Sequence, residues 1–372
     1  MKILHVITTL DVGGAEMHLL AQVRGQAARG HEPSVVYLKG AGTLADDFRQ
    51  AGARTVEAIG LSPLRLARLA RQADLVHTHL LKADMLTAAC AVPFGFQRRL
   101  LASKHNDEQV LKRPAVSFVH GLLGRIPQKT IVLSDHVGRF FVEHGGLDPA
   151  RVERIYYGLD PAPFEAAVER SAQRRAPLRA ELGFAEDAIV FICVARFAPQ
   201  KAHDVLLRAF RQALDERPGG APPLGLLLVG DDPFGDGRQR AERLAHELSL
   251  NDTVTFAGIR RDVPDLLAAS DVFTMSSLWE GLGLVFLEAM ASGLPVLASG
   301  VSAVPEVVVE GETGVLVPPS DVPALAAGFA RLAGEEGLRR DLGAAGRRRV
   351  AERFGLDRMV EETLSVYAGI ST

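Results

Sequence analysis

Ser276-Ser-Leu-Trp-Glu-Gly-Leu-Gly-Leu-Val-Phe-Leu-Glu-Ala-Met-Ala-Ser-Gly293 is the stretch whose reading decides this chain. It opens as a loop carrying Gly281 and Gly283, becomes an apolar run from Leu284 that reads as a helix, and stops at Gly293 with Pro295 close behind. Two carboxylates frame it. Glu280 sits in the loop and Glu288 about two turns further on, so both can face a ligand lying over the helix N-terminus. Free backbone N–H groups there, approached past glycines, suit a diphosphate, and a carboxylate a turn or two into the helix suits a ribose diol. The stretch reads as a nucleotide clamp built from Glu280, Gly281, Leu282, Gly283, Leu284 and Glu288. An isolated pair of glutamates is more often solvated than functional, so the clamp needs support from the rest of the chain.

The 372 residues suffice for two domains with substantial cores, and a hydrophobic fraction of 47% with 23% charged residues is ordinary for a globular protein. The net charge of -3 hides an asymmetry: residues 1–160 hold 20 Lys+Arg against 15 Asp+Glu, and the remainder 22 against 30. The first half is therefore the better match for an anionic partner. Cys90 and Cys193 lie far apart in apolar runs, which gives neither a disulfide framework nor a metal-ligand spacing and fits a reducing compartment. The N-terminal Met-Lys-Ile-Leu-His-Val-Ile reads as a first strand with no cleavage site, and no stretch approaches a membrane span. The expectation is a cytoplasmic protein, with contact to the inner membrane face left open.

Residues 2–8, then Gly13-Gly14 and a helical run, give strand, turn and helix, the opening of a doubly wound α/β domain. Short β-rich runs at 34–38, 55–59, 74–77, 99–103 and 129–133 alternate with helical stretches and predict a parallel sheet, whose ligands bind beyond the carboxyl ends of its strands. His77 and His79 are expected just after one such strand and His105 after another. Arg65, Arg68 and Arg71, with Arg98, Arg99 and Lys104 further on, make a basic surface that is a solvated face or a patch for anionic membrane. After residue 162 the texture turns Ala- and Arg-rich, and a strand at 188–194 restarts the alternation. Arg196 and Lys201 follow that strand, where an arginine fork and a lysine point charge together neutralise a diphosphate. Strands follow at 224–229 and 253–256.

Glu-Gly-Leu-Gly-Leu-Val-Phe-Leu-Glu-Ala-Met-Ala-Ser-Gly-Leu-Pro-Val resembles the E-x7-E signature of the retaining nucleotide-sugar glycosyltransferases of GT-B family 4, and the likeness extends over most of the chain. The resemblance implies two Rossmann-like domains facing a central cleft: 1–162 on the acceptor side, 163–355 for the nucleotide sugar, and a last helix at 356–372 returning to the first domain. It implies donor contacts from Gly13 and Gly14, backbone contacts to the base near Ile259 and Arg260, a pyrophosphate grip by Arg196 and Lys201, and sugar hydroxyls held by Glu280 and His105. Three departures are visible: Ala202 where a glycine is usual, Ser302-Ala303 in place of two glycines, and Tyr157 in place of an asparagine, the last expected to bear little on the chemistry. The implied activity is retaining transfer from a UDP-sugar, or a GDP-sugar, to a glycan, lipid-linked or small-molecule acceptor, as in polysaccharide biosynthesis. No Asp-x-Asp occurs, so neither a metal nor any other cofactor is expected, and nucleic acid is not an expected partner. The alternatives are a nucleotide- or glycan-binding protein without catalysis, and a sugar-phosphate epimerase or phosphorylase on the same scaffold.

Overall fold

The computed structural model describes residues 1–232 and 235–370. The chain forms two compact units, Met1–Asp160 with Phe354–Thr372, and Pro161–Arg353. In the first unit β1 (Lys2–Ile7), β2 (Glu32–Tyr37), β3 (Val56–Ala58), β4 (Leu75–His79), β5 (Leu100–Lys104), β6 (Lys129–Val132) and β7 (Val152–Arg154) pair in the order β3-β2-β1-β4-β5-β6-β7. The second holds β8 (Ile189–Val194), β9 (Leu224–Val229), β10 (Val254–Gly258), β11 (Val272–Met275), β12 (Val296–Ser299) and β13 (Gly314–Val317), ordered β10-β9-β8-β11-β12-β13. All of these pairings are parallel. Both sheets thus reverse direction beside their first strand, at β1/β4 and at β8/β11, the doubly wound pattern whose switch points receive ligands.

Parallel strands covered by helices on both faces must be apolar throughout, and β9 and β12 are buried along their whole length. The strands β7, β11, β12 and β13 are only three or four residues long, too short to display a period in the sequence. The strand β4 breaks the apolar rule. His77 and His79 lie inside it rather than after it, both fully buried. Helix Leu356–Ile370 packs Met359, Val360 and Tyr367 onto Ile3, Leu75 and Leu101 of the first sheet, which makes it part of that unit's core.

Within the stretch 276–293 the chain forms helix Leu284–Ala291, entered through Gly283 with φ 82° and left through Gly293. Its far end is fixed by Gly343 of helix Glu336–Arg353, where an added Cβ would lie 2.0 Å from the Gly293 carbonyl oxygen. A backbone atom cannot swing aside as a side-chain tip can. Gly343→Ala is therefore expected to destabilise the second unit by about 1–3 kcal/mol, the cost of overpacking, seen as a lowered thermal midpoint with an unchanged midpoint for the first unit.

Candidate functional site

In the second unit, two loops meet because β8 and β11 are neighbours in the sheet. The loop after β8 runs through Arg196 into the short turn Pro199–Lys201, and the loop after β11 carries Ser276 to Glu280. Hydrogen bonds join them: Ser276 Oγ donates to the carbonyls of Lys201 (3.0 Å) and Ala202 (2.9 Å), Leu278 N–H to the Gln200 carbonyl (2.8 Å), and Gln200 Nε2 to the Trp279 carbonyl (2.6 Å). Lys201 Nζ consequently sits 2.5 Å from Glu280 Oε1, which also accepts from Ser277 Oγ at 2.6 Å. Glu280 is only 4% exposed, so its charge is tolerated because Lys201 matches it. One ammonium hydrogen is spent on that pair and another points to Met275 Sδ at 4.0 Å, which leaves one for an anion.

Arg196 is exposed and its guanidinium makes no hydrogen bond or ion pair among the described residues, which leaves the fork available. Ala202, standing where the resemblance expects glycine, adopts φ 45° and ψ 50°. The left-handed bend survives without glycine, at a cost in backbone strain that the joined loops absorb. Ser302, at φ 50°, keeps the same conformation where two glycines were expected.

Glu288 is partly buried, and no hydrogen bond or ion pair reaches its carboxyl among the described residues. Burial alone pushes it up to about 7. A carboxyl without a protein partner, about one turn inside a helix whose first N–H groups lack intrahelical acceptors, is built to meet something else. The base-side expectations fare differently. Ile259 is 70% exposed, while the Arg260 guanidinium is committed to Asp262 (2.6 Å) and Glu181 (3.0 Å). Leu282 is buried in the core and Gly281 is buried beside it, so the loop presents Gly283 and Leu284 rather than all four residues.

In the first unit, His105 follows β5 as expected, but the structure corrects its surroundings. It is buried and both ring nitrogens have protein partners, Nε2 to His79 Nδ1 at 3.0 Å and Nδ1 to the Tyr157 hydroxyl at 2.8 Å. Tyr157, which the sequence reading set aside, is thus the residue that touches His105. Burial drives His105 down to about 3, so it is a neutral hydrogen-bonding group. Gly13 has a different neighbour than expected: a Cβ there would lie 2.6 Å from the side-chain tip of Glu16 at Oε2, whereas Gly14 faces open space. Glu16 accepts from Thr9 Oγ1 at 2.6 Å, and its charge adds to burial in raising the Tyr157 hydroxyl. His18 stacks on Tyr157 with ring centroids 4.2 Å apart, and its Nδ1 is buried without a partner among the described residues. Glu16 and His18 left one signal in the sequence, their clustering just behind Gly13-Gly14, and Tyr157 stood out only as a replacement for asparagine. Lys104 leaves the proposed basic surface altogether, being buried with Asp84 at 2.6 Å and His120 at 3.1 Å.

Two family models divide the chain between them, Glycosyltransferase Family 4 over residues 12–163 and Glycosyl transferases group 1 over residues 174–349. The D-inositol 3-phosphate glycosyltransferase of Kribbella flavida is 31% identical over 307 residues, which span 79% of this chain and 70% of that one. The chain belongs to glycosyltransferase family 4. Its match to the D-inositol 3-phosphate glycosyltransferase of Streptomyces bingchenggensis is 36% over 232 residues and spans 61% of this chain and 50% of that relative. Solved structures agree on a GT-B fold: Anabaena HepE in complex with UDP superposes with a TM-score of 0.85 at 22% identity over 99% of this chain and all of that one. Sucrose-phosphate synthase from Thermosynechococcus elongatus gives a TM-score of 0.81 at 24% identity over 100% and 99%.

The raised Glu288 carboxyl makes a pH prediction for this family 4 chain. Its folded value near 7 lies above the usual 4.5, so the folded state holds the proton more tightly and stability falls as pH rises from 4.5 through 7, with a slope of at most about 1.4 kcal/mol per pH unit. Glu288→Gln removes that loss. Thermal midpoints of variant and wild type should coincide near pH 4.5 and diverge above it in favour of the variant; parallel curves from pH 4.5 to 8 would mean that Glu288 is not perturbed.

Proposed function

We propose that the chain is a retaining glycosyltransferase that takes a sugar from a nucleoside-diphosphate donor, a UDP-sugar first and a GDP-sugar second, and passes it to a hydroxyl of an acceptor. The observation that carries the reading is the Lys201–Glu280 pair at the β8/β11 switch point, with unpaired Arg196 and unpartnered Glu288 on the flanking elements. Arg196 and the spare hydrogen of Lys201 neutralise the diphosphate, N–H groups at Gly283 and Leu284 add their dipoles, and Glu288 accepts from the ribose diol. Glu280, held by Lys201, turns its second oxygen to sugar hydroxyls. As the bond from the anomeric carbon to the diphosphate oxygen breaks, an acceptor oxygen bonds on the same face and its proton passes to the departing phosphate. In the first unit both His105 nitrogens are already engaged, so a hydroxyl ligand there would meet the Tyr157 oxygen and the backbone of the Gly13-Gly14 loop. The donor choice is supported by the HepE complexes with UDP, with UDP and glucose, and with UDP-glucose, and an inositol phosphate is the acceptor to try first because the curated relatives act on it.

Fixed cations take over charge neutralisation that a metal would otherwise perform, so activity in chelator is part of the proposal, with the work done in the cytoplasm. Calorimetry with UDP, GDP and ADP in EDTA tests it. One nucleotide is expected to bind in the micromolar range, with affinity reduced about tenfold or more in Arg196→Ala and in Glu288→Ala, since charge-assisted bonds of about 1.5–3 kcal/mol are lost. Absence of binding to all three would leave the fold and remove the donor site.

Contact with an anionic membrane surface is a second proposal: Arg65, Arg68 and Arg71 stay exposed, and helix Pro114–Leu123 adds an apolar surface. That helix exposes Phe118 (75%), Leu122 (61%) and Val119 on one stripe, with Lys112, Arg113 and Arg125 exposed at its ends. No helix among the described residues is long and apolar enough to cross a membrane. The protein is expected to sediment with anionic vesicles at low salt, and Phe118→Asp to lose most of that binding; wild type that stays in the supernatant refutes the contact.

A further inference from the structure

The centre of the first sheet carries polar rings where apolar side chains are the rule. His5 of β1 and His77 of β4 are register partners, His79 lies two residues on, and all three are buried to 1% or less. Their hydrogen bonds form two connected runs. In one, Gln26 Oε1 lies 2.9 Å from His5 Nε2, His5 Nδ1 lies 3.1 Å from His79 Nε2, His79 Nδ1 lies 3.0 Å from His105 Nε2, and His105 Nδ1 lies 2.8 Å from the Tyr157 hydroxyl. In the other, the Tyr367 hydroxyl receives Gln22 Nε2 (2.9 Å) and Gln26 Nε2 (3.2 Å) and sits 2.6 Å from His77 Nδ1, while His77 Nε2 sits 2.7 Å from Ser103 Oγ.

Each neutral imidazole carries one hydrogen, so each bond in the run permits a single donor and the choice at one end fixes all the others. The Gln26 carbonyl oxygen can only accept. His5 must then hold its hydrogen on Nε2 and accept on Nδ1, which forces Nε2–H on His79 and again on His105, and leaves Tyr157 to donate its hydroxyl hydrogen to His105 Nδ1. The second run agrees with that orientation of the Gln26 amide. With two amide donors already on its oxygen, Tyr367 gives its hydrogen to His77 Nδ1, and His77 donates from Nε2 to Ser103. Turning the Gln26 amide over would reverse both runs together, because the same amide serves His5 and Tyr367. The imidazoles of His5, His77 and His79 are close enough to share a cation, but every one of their nitrogens is already engaged in these bonds and no carboxylate is among the partners.

We infer that Gln26 and Tyr367 are positioning residues for His105: through His5 and His79 they hold it as the Nε2–H tautomer, so that Tyr157 donates inward and offers only oxygen lone pairs to any further partner. The matching partner chemistry is a ligand hydroxyl group acting as donor, and this use of the tautomer rests on the sugar transfer proposed above. Tyr367 lies on the last helix, 290 residues from His77 and 341 from Gln26, which gives that helix a role in the first unit beyond covering apolar surface. Burial keeps the rings uncharged, with His5 lowered to about 4 and His77 and His79 well below the ordinary histidine range.

The test is long-range proton–nitrogen correlation spectroscopy on the full chain labelled with nitrogen-15 histidine at pH 7.5, with resonances assigned by single histidine substitutions. His5, His77, His79 and His105 are each expected to show the neutral Nε2–H pattern. Tyr367→Phe, which frees the Gln26 amide, is expected to bring His105 into a mixture of tautomers. Gln26→Glu can accept from both sides but cannot donate, so it is expected to move His77 alone to the Nδ1–H form while His105 keeps Nε2–H. A wild-type His105 that is charged or Nδ1–H, or a His105 pattern indifferent to Tyr367→Phe in a folded protein, overturns the assignment. Nucleotide calorimetry on the same samples separates the two readings, since loss of UDP binding in wild type defeats the donor site and leaves the tautomer result standing.

Discussion

The pairing of β8 with β11 is the constraint on which the second unit's chemistry depends. It brings Lys201 and Glu280 together across 79 residues of chain and places them where the sheet order reverses. A carboxylate as buried as Glu280 would be costly by itself, and an ammonium with no fixed partner would wander. Joined, each holds the other in place, and the interloop hydrogen bonds from Ser276 and Gln200 hold both. The result is a preorganised set of charges whose spare valences all belong to the same two loops.

Backbone constraints complete that arrangement. Gly283 at φ 82° lets the chain turn from the Glu280 loop into helix Leu284–Ala291, and Gly343 lets helix Glu336–Arg353 touch the backbone at its far end. Ala202 and Ser302 keep left-handed conformations that glycine would adopt more cheaply, so at these positions the surrounding hydrogen bonds and packing, rather than the residue type, determine the path. Arg179, inserted among the carbonyls of Ala269, Glu186 and Ala188 and paired with Asp271, ties helix Ser171–Glu181 to the start of β11 from the opposite end.

The first unit solves a different problem. Burying four imidazoles in the middle of a parallel sheet is acceptable only when their hydrogen-bonding groups are matched, and the matching is done by side chains from helix Gly14–Ala28 and from the last helix of the chain. A fully satisfied polar network of this kind has very few internally consistent states, which is why a glutamine and a tyrosine distant in sequence govern the hydrogen on His105. The same accounting makes Tyr157 a structural neighbour of consequence, although its position looked like a neutral replacement.

The alternation of short apolar runs with helical stretches and the glycine and proline punctuation were enough to anticipate two parallel-sheet α/β domains and helix Leu284–Ala291, because these follow from local preference and period. Short strands such as β12 and β13 were too brief to leave a pattern. What the residue string could not express was partnership. Whether Glu280 is free or paired, whether Lys104 is on the surface or buried against Asp84, and which nitrogen of His105 carries the hydrogen depend on groups 79, 20, 26 and 52 residues away. Period and propensity act over a few residues, whereas burial and hydrogen-bond matching are settled only when distant strands come side by side.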